Sequence, residues 1–252
     1  MKRDIGTFPF GQPIKKVCQT DRTQKKVFVL GVYASAVHAR WIGPDKKTII
    51  RALAVDSEPE IFWTGTNAKD IIEKIPIPVI AGKLVPAYGK LNGPSGVALD
   101  ASYLKPLSLK RSDVWLCDLV PHSCLNLGQK KAVDLKYNPK KVELHLPDCT
   151  TPVVPKTLAE ESRCNEILEE IKSADPSVII TLGDQPLKWF ASKFGSKLRL
   201  VEYGKPKENS YGLLHDIIID GRAINCFLSF TLDKPVVWVV ILQIGLIVMT
   251  SG

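Results

Sequence analysis

Apolar residues fall into four short runs that alternate with polar and periodic segments along the chain. The runs cover residues 27–30, 113–120, 177–182 and 223–230. Predominantly apolar runs of this length, bounded by Gly, Pro or charged residues, are typical of strands buried on both faces. The sequence therefore predicts a sheet with a buried interior.

The segments between these runs predict helices and connections. Helices are predicted over 96–104, over 157–173 with a capping box from Thr157 to Glu160, and after Asp184. Residues 46–63 alternate loosely and predict a peripheral hairpin, 75–92 a loop, and 134–154 a charged excursion. Strands separated by helices imply parallel crossovers. We expect a three-layer α/β/α domain with a central, mostly parallel four-stranded sheet.

Composition narrows the class of partner. The chain has 252 residues, is 45% hydrophobic and carries a net charge of +8, so a sizeable core and an anionic partner are both expected. The N-terminus has no apolar signal core, and the six cysteines show no Cys-x-x-Cys spacing. Reduced thiols and a cytoplasmic location are expected.

Small and polar residues stand where predicted strands end. The first run leads into Gly31, Val32, Tyr33, Ala34 and Ser35. Carboxyl ends of parallel strands are where ligands bind in open α/β sheets. Three further segments have this character: Leu91 followed by Gly93, Pro94, Ser95 and Gly96; Asp118 followed by His122 and Ser123; and residues 176–190.

In this order, the four segments resemble the uracil-DNA glycosylase superfamily over about residues 26–190. The resemblance rests on the Gly after the first strand, the Gly-Pro-Ser-Gly turn, the polar residue of the second strand and the Leu-Gly that ends the third. It implies an enzyme that flips a base out of DNA and hydrolyses its N-glycosidic bond without a cofactor.

The resemblance also implies roles for individual residues. Tyr33, Ser35 and Asp118 would be catalytic, with Asp118 also reading the base beside Gly31, Val32 and Leu91. The DNA-binding residues would be His38, Arg40, Gly93, Pro94, Ser95, Gly96, His122 and Ser123. Backbone amides of such turns hold phosphates.

The sequence departs from the family pattern at three of these positions. Tyr33 stands where the family carries an acidic or amide residue, and a phenol is a weak base at neutral pH. Asp118 replaces an Asn, and an ionised carboxylate only accepts hydrogen bonds. Leu91 stands where many relatives have a stacking Phe, so Trp41, Trp63 or Tyr33 are alternatives for stacking.

One branch of the family holds an iron–sulfur cluster on four cysteines. Cys124 and Cys164 match the two later ligand positions and Cys18 an early one, but one early partner is missing. Buried structural thiols are therefore the preferred interpretation, and no metal is expected.

The end of the chain lacks the family's late His-Pro motif near residue 230. Residues 235–249 are almost wholly apolar instead, and three interpretations stay open: a buried final strand, a tail anchor or a reading-frame error. An alternate frame compatible with Cys226 to Val239 encodes an apolar strand followed by His-Pro, which favours the third.

The expected organisation has three parts: an N-terminal extension (1–25), a glycosylase-like α/β domain (26–230) and an apolar tail (231–252). DNA is the expected partner of a monomer that has no contact with a membrane. The alternative function is a catalytically inactive member of the same fold that binds nucleic acid.

Overall fold

The computed structural model describes residues 4–194, 214–219 and 222–229. It contains eight strands: β1 (Val27–Tyr33), β2 (Ala36–Ile42), β3 (Thr48–Ser57), β4 (Lys83–Pro86), β5 (Val114–Val120), β6 (Val178–Leu182), β7 (Leu214–Ile219) and β8 (Arg222–Ser229). The α-helices in these residues are α1 (Ala68–Glu73), α2 (Pro94–Leu99), α3 (Leu127–Ala132), α4 (Asn138–Lys141), α5 (Glu161–Ala174) and α6 (Asp184–Phe194).

Short helical turns complete the described elements. Turns of 3₁₀ type cover Pro9–Gly11, Val79–Ala81 and Arg111–Asp113, and π-helical turns cover Asp100–Leu104 and Val133–Tyr137. The chain divides into two compact units. The first unit comprises residues 1–18, 33–97 and 120–158, and the second comprises 19–32, 98–119 and 159–252.

The second unit contains most of a five-stranded sheet with the order β5-β1-β6-β8-β7. β6 pairs in parallel with both β1 and β8, whereas β7 is antiparallel to β8. All seven residues of β5 and all five of β6 are buried. The fold is therefore mixed α/β, and the four predicted strands are all present.

The predicted four-stranded sheet is wrong in one respect, because β7 adds a fifth, antiparallel strand to it. Residues 217–219 are a short isoleucine run that lies directly before β8. A run this short between polar residues is compatible with several structures, so it gave no separate strand signal.

The first unit contains a separate antiparallel sheet with the order β3-β2-β4. The predicted hairpin is displaced, because its first strand is β2, which contains His38 and Arg40 of the predicted DNA contacts. β4 likewise lies within the predicted loop 75–92. In β2, buried Ala39 and Trp41 alternate with partly exposed Arg40 and Ile42, and the interspersed polar side chains concealed the strand.

The core of the first unit is built around three aromatic rings. Phe10 meets Trp41 at 5.4 Å and Tyr137 at 5.5 Å between ring centroids, both nearly edge to face. The Tyr137 hydroxyl accepts from the Phe10 backbone N–H at 3.0 Å and donates to the Pro147 carbonyl at 2.8 Å. The N-terminal segment is thus part of this core.

Two helix predictions need correction. α5 begins at Glu161 with Glu160 as N-cap, and no side-chain cap bond forms there, so the capping box at Thr157 is wrong. Residues 156–159 instead form a bend. The predicted helix over 96–104 is present, but it begins at Pro94 and continues from Asp100 as a π-helical turn.

Candidate functional site

The loop between β1 and β2 is held by bonds from distant parts of the first unit. The Ser35 N–H donates to Glu58 Oε1 at 2.9 Å, and the Ser123 hydroxyl donates to the Ser35 carbonyl. The Ala34 N–H donates to the Val120 carbonyl at 3.1 Å. Glu58 and Ser123 are 3% and 1% exposed. The loop that carries Ser35, directly after Tyr33 at the end of β1, is therefore fixed on both sides.

Tyr33, His122 and Cys124 form a partly buried group beside this loop. Burial raises the pKa of Tyr33, and the nearby Cys124 adds to the shift. Burial also raises the pKa of Cys124 to about 11. At neutral pH the group therefore holds a neutral phenol and a neutral thiol, and neither is an effective base or nucleophile.

His122 is the titratable member of this group. Burial lowers its pKa, although the Ser123 backbone partly opposes the shift. Its Nδ1 lies 3.2 Å from the Ser123 carbonyl and 3.7 Å from Cys124 Sγ. Because a carbonyl only accepts, the neutral ring carries its proton on Nδ1, which leaves Nε2 as an acceptor.

His38 joins the start of β2 to two other segments. Its backbone N–H donates to Asn92 Oδ1 at 2.7 Å, and Asn92 Nδ2 donates to its carbonyl at 3.0 Å. Gln129 Nε2 lies 2.9 Å from His38 Nε2. Burial lowers the pKa of His38, and the Ala36 and Leu91 carbonyls partly oppose this shift. The half-buried imidazole therefore connects these segments, and its contact with a phosphate stays a prediction.

The Gly-Pro-Ser-Gly turn depends on both of its glycines. Gly93 has φ +70°, and a Cβ on it would lie 2.1 Å from the Thr64 carbonyl carbon. A Cβ on Gly96 would lie 2.1 Å from the Phe62 carbonyl oxygen. Pro94 is exposed and Ser95 is half-buried. The turn is thus packed tightly against residues 62–65, with Pro94 and Ser95 at its outer side.

Arg40 lies beside an aromatic side chain that the sequence analysis did not single out. Its guanidinium carbon is 3.7 Å from the centroid of the Tyr88 ring, and Tyr88 is 65% exposed. Among the described residues, Arg40 Nε is buried without a hydrogen-bond partner. Trp41 and Trp63 are 0% and 1% exposed, so neither of them is available to stack on a base.

Three of the predicted site residues belong to the second unit, namely Gly31, Val32 and Asp118. Asp118 is 3% exposed and lies inside β5 rather than at its end. Its carbonyl accepts from Arg163 Nη2 at 2.6 Å. A role for its carboxylate in reading a base stays a prediction. Leu91, in the first unit, is 44% exposed.

The cysteines provide no cluster geometry within the described residues. No group of three or more His, Cys, Asp or Glu side chains there could hold a metal ion. Cys18 and Cys124 belong to the first unit and Cys164 to the second, where its thiol donates to the Ala159 carbonyl at 3.5 Å. The interpretation of these cysteines as structural thiols stays a prediction.

Sequence reasoning missed Glu58, Tyr88, Asn92 and Gln129. Glu58 lies in an acidic stretch that is typical of a solvated loop, and its burial depends on a distant loop. Asn92 stands directly before the glycine turn, and that position was the one available signal for it. The predicted tail, 231–252, lies outside the described residues, as does the position of the absent His-Pro motif.

No protein-family model matches the chain, and a search of curated proteins finds no match. In the parts of the chain that the structure describes, no helix has the length and apolar character needed to cross the bilayer.

Proposed function

We propose that this chain is a DNA glycosylase of the uracil-DNA glycosylase type, acting on uracil or another deaminated base. One observation carries the proposal. Segments recognised separately in the sequence are joined in the first unit: Ser123 bonds to Ser35, and Asn92, directly before the glycine turn, bonds to His38. The three-layer arrangement of the family is part of this proposal.

The reaction needs an acceptor for a proton of water and donors for the departing base. Water adds its oxygen to the sugar carbon while the N-glycosidic bond breaks, and the bonding electron pair leaves with the base. Neutral His122, with Nε2 as an acceptor, is better suited than Tyr33 to orient that water. Tyr33, as a neutral phenol, would donate a hydrogen bond to the sugar or base.

The glycine turn and the Arg40 surface would hold the DNA. Gly93 and Gly96 let the backbone turn tightly, and the backbone amides of such turns are suited to phosphate oxygens. Asp118 as the base reader would require a protonated carboxyl group or a base with an exocyclic amine.

The experiment offers the full chain oligonucleotides that contain uracil, hypoxanthine or xanthine, followed by alkaline cleavage of abasic sites. We expect excision of at least one base, low or absent in this chain if the reading-frame error is real and higher once the alternate frame is restored, with His122→Asn reducing turnover more than Tyr33→Phe. Activity should fall as His122 becomes protonated, with a midpoint below the ordinary histidine pKa, because burial lowers the pKa of His122. Absence of abasic product from every substrate would contradict the proposal.

A second candidate is a non-catalytic DNA-binding protein of the same fold. Two observations favour it: burial raises the pKa of Tyr33, and Asp118 is 3% exposed. A reading-frame error after codon 225 would also give a non-catalytic protein, since the translated chain would lack the histidine of the family's His-Pro motif. Sequencing the gene through codons 226–239 tests this directly, and restoring the alternate frame should restore excision.

A further inference from the structure

One face of the antiparallel sheet in the first unit carries several cationic side chains. β2 lies between β3 and β4, and Arg40 is directly opposite Val85, with Ile42 opposite Lys83. On the other side of β2, Ala39 pairs with Leu53 and Trp41 pairs with Ile50. Arg51 lies between these two residues of β3, at an irregularity in the register. Arg51 and Lys83 are exposed. Cationic side chains therefore occur on all three strands.

Few acidic residues accompany this charge. β2 and β4 contain no Asp or Glu, and the one acidic residue of β3 is Asp56, near its end. The loop after β4 adds exposed Lys90. Repulsion among such cations is relieved when they bind an anionic partner.

Tyr88 gives this surface an aromatic platform. Arg40 covers one side of its ring at 3.7 Å, while the residue stays 65% exposed. The cation–π contact fixes the orientation of the ring. An exposed, oriented aromatic ring beside cations is the arrangement that proteins use to stack the bases of single-stranded nucleic acid.

We propose that single-stranded DNA binds this basic face, formed by Arg40, Arg51, Lys83, Tyr88 and Lys90, with a base stacked on Tyr88 and phosphates at the cations. A duplex fits this face less well, because its bases are already stacked inside the helix. An acidic protein would match the charge but has no base to stack on Tyr88. The choice of DNA over RNA rests on the proposed function. The binding of DNA without a damaged base does not depend on the proposed function.

The test measures binding of a fluorescein-labelled 12-nucleotide oligothymidine to the full chain by fluorescence anisotropy. Tyr88→Ala should weaken binding about 5- to 150-fold, the range for loss of one stacked base at ~1–3 kcal/mol, and Tyr88→Phe should retain affinity. Both substitutions are at an exposed position, and a thermal melt of each variant checks that it is folded.

The contribution of the cationic side chains to binding is tested by the salt dependence of the affinity. Each phosphate contact contributes about −0.7 to the slope of log K against log salt for single strands. Arg51→Gln with Lys83→Gln should therefore reduce the slope by about 1.4. The matched control is Lys136→Gln with Lys156→Gln, which removes the same charge from exposed positions elsewhere in the unit and should leave the slope nearly unchanged.

The proposal is overturned if Tyr88→Ala binds within about twofold of the parent chain, if the control pair lowers the slope equally, or if RNA or duplex of the same sequence binds more tightly. Because the probe has no deaminated base, its binding is independent of excision. Binding without abasic product would leave this inference standing and remove the proposed function. Excision together with binding that is insensitive to these variants would support the proposed function and overturn this inference.

Discussion

Arg163 in the second unit and Arg40 in the first show how differently the two units use an arginine. Arg163 is 9% exposed and contacts Glu166 at 2.8 Å and Glu170 at 3.1 Å through Nη1. It also donates to the Asp118 carbonyl. Glu170 in turn accepts from Trp115 Nε1 at 2.9 Å. Every one of these contacts is internal to the second unit.

Arg40 has an aromatic ring beside it instead of a carboxylate. It lies over exposed Tyr88, and its Nε has no hydrogen-bond partner among the described residues. A buried cation with several acceptors stabilises its surroundings, whereas a cation with unfilled donors is suited to a ligand. The comparison indicates that Arg163 has a structural role and that the guanidinium of Arg40 has a donor available to a ligand.

The largest effect should come from breaking the Arg163 network. Arg163→Met removes the nearer cation of buried Glu170 and leaves it the half-exposed Arg22 at 3.6 Å. We expect a loss of about 3–4 kcal/mol in the free energy of unfolding, near the lower end for breaking a buried pair, measured by denaturant titration. Lys172→Met, which breaks the exposed pair with Glu169 at 3.0 Å, should cost less than about 1 kcal/mol. Equal effects would remove the structural assignment of Arg163.

A smaller loss should follow Gly93→Ala, at roughly 2–3 kcal/mol, because both its φ and its surroundings exclude a side chain. Gly89→Ala is the matched control. Gly89 has φ +66°, but nothing lies within 4 Å of its added Cβ, so only the backbone strain of about 1 kcal/mol applies. If the two variants melt alike, the close packing of the turn against residues 62–65 is wrong.

Asn92→Ala should destabilise the first unit by about 1–2 kcal/mol, since both His38 backbone groups lose a partner. Asn92→Asp keeps the acceptor for the His38 N–H but loses the donor to its carbonyl, so an intermediate loss is expected in the same titration. A neutral result for Asn92→Ala would mean that water replaces both bonds.

The smallest effect concerns pH. Burial lowers the pKa of His38 and of His122, so protons bind more readily to the unfolded chain. The free energy of unfolding should therefore decline as pH falls below about 6.5, the ordinary histidine value, and level off below the folded-state pKa values. His38→Gln should flatten part of this decline, and an unchanged pH profile would show that the ring is not buried in solution.

The buried strands could be predicted from the sequence because their physics is local. β1, β5, β6 and β8 are mostly apolar runs, and crossover helices explain the parallel pairing of β1 with β6 and of β6 with β8. β2 could not be predicted so directly. Its polar residues face one side of a sheet whose existence depends on partners in β3 and β4.

The residues of the candidate site fall into the same two groups, those with a local signal in the sequence and those without one. Ser35, Ser123 and the glycine turn stand out by position along the chain, and the structure gives each a fixed setting. Glu58, Asn92 and Tyr88 gain their roles through contacts with residues 23, 54 and 48 positions away. Such contacts depend on tertiary structure, and no local pattern encodes them.

The Tyr137 hydroxyl ties the N-terminal segment to the middle of the chain. Phe8 and Phe10 are 0% and 2% exposed, so a shortened chain that starts at residue 26 would lose two core aromatics and uncover Trp41. Anyone who trims the first residues to obtain a minimal domain should expect poor yield or aggregation. The opening residues are best regarded as an integral part of the first unit, and expression should begin ahead of them.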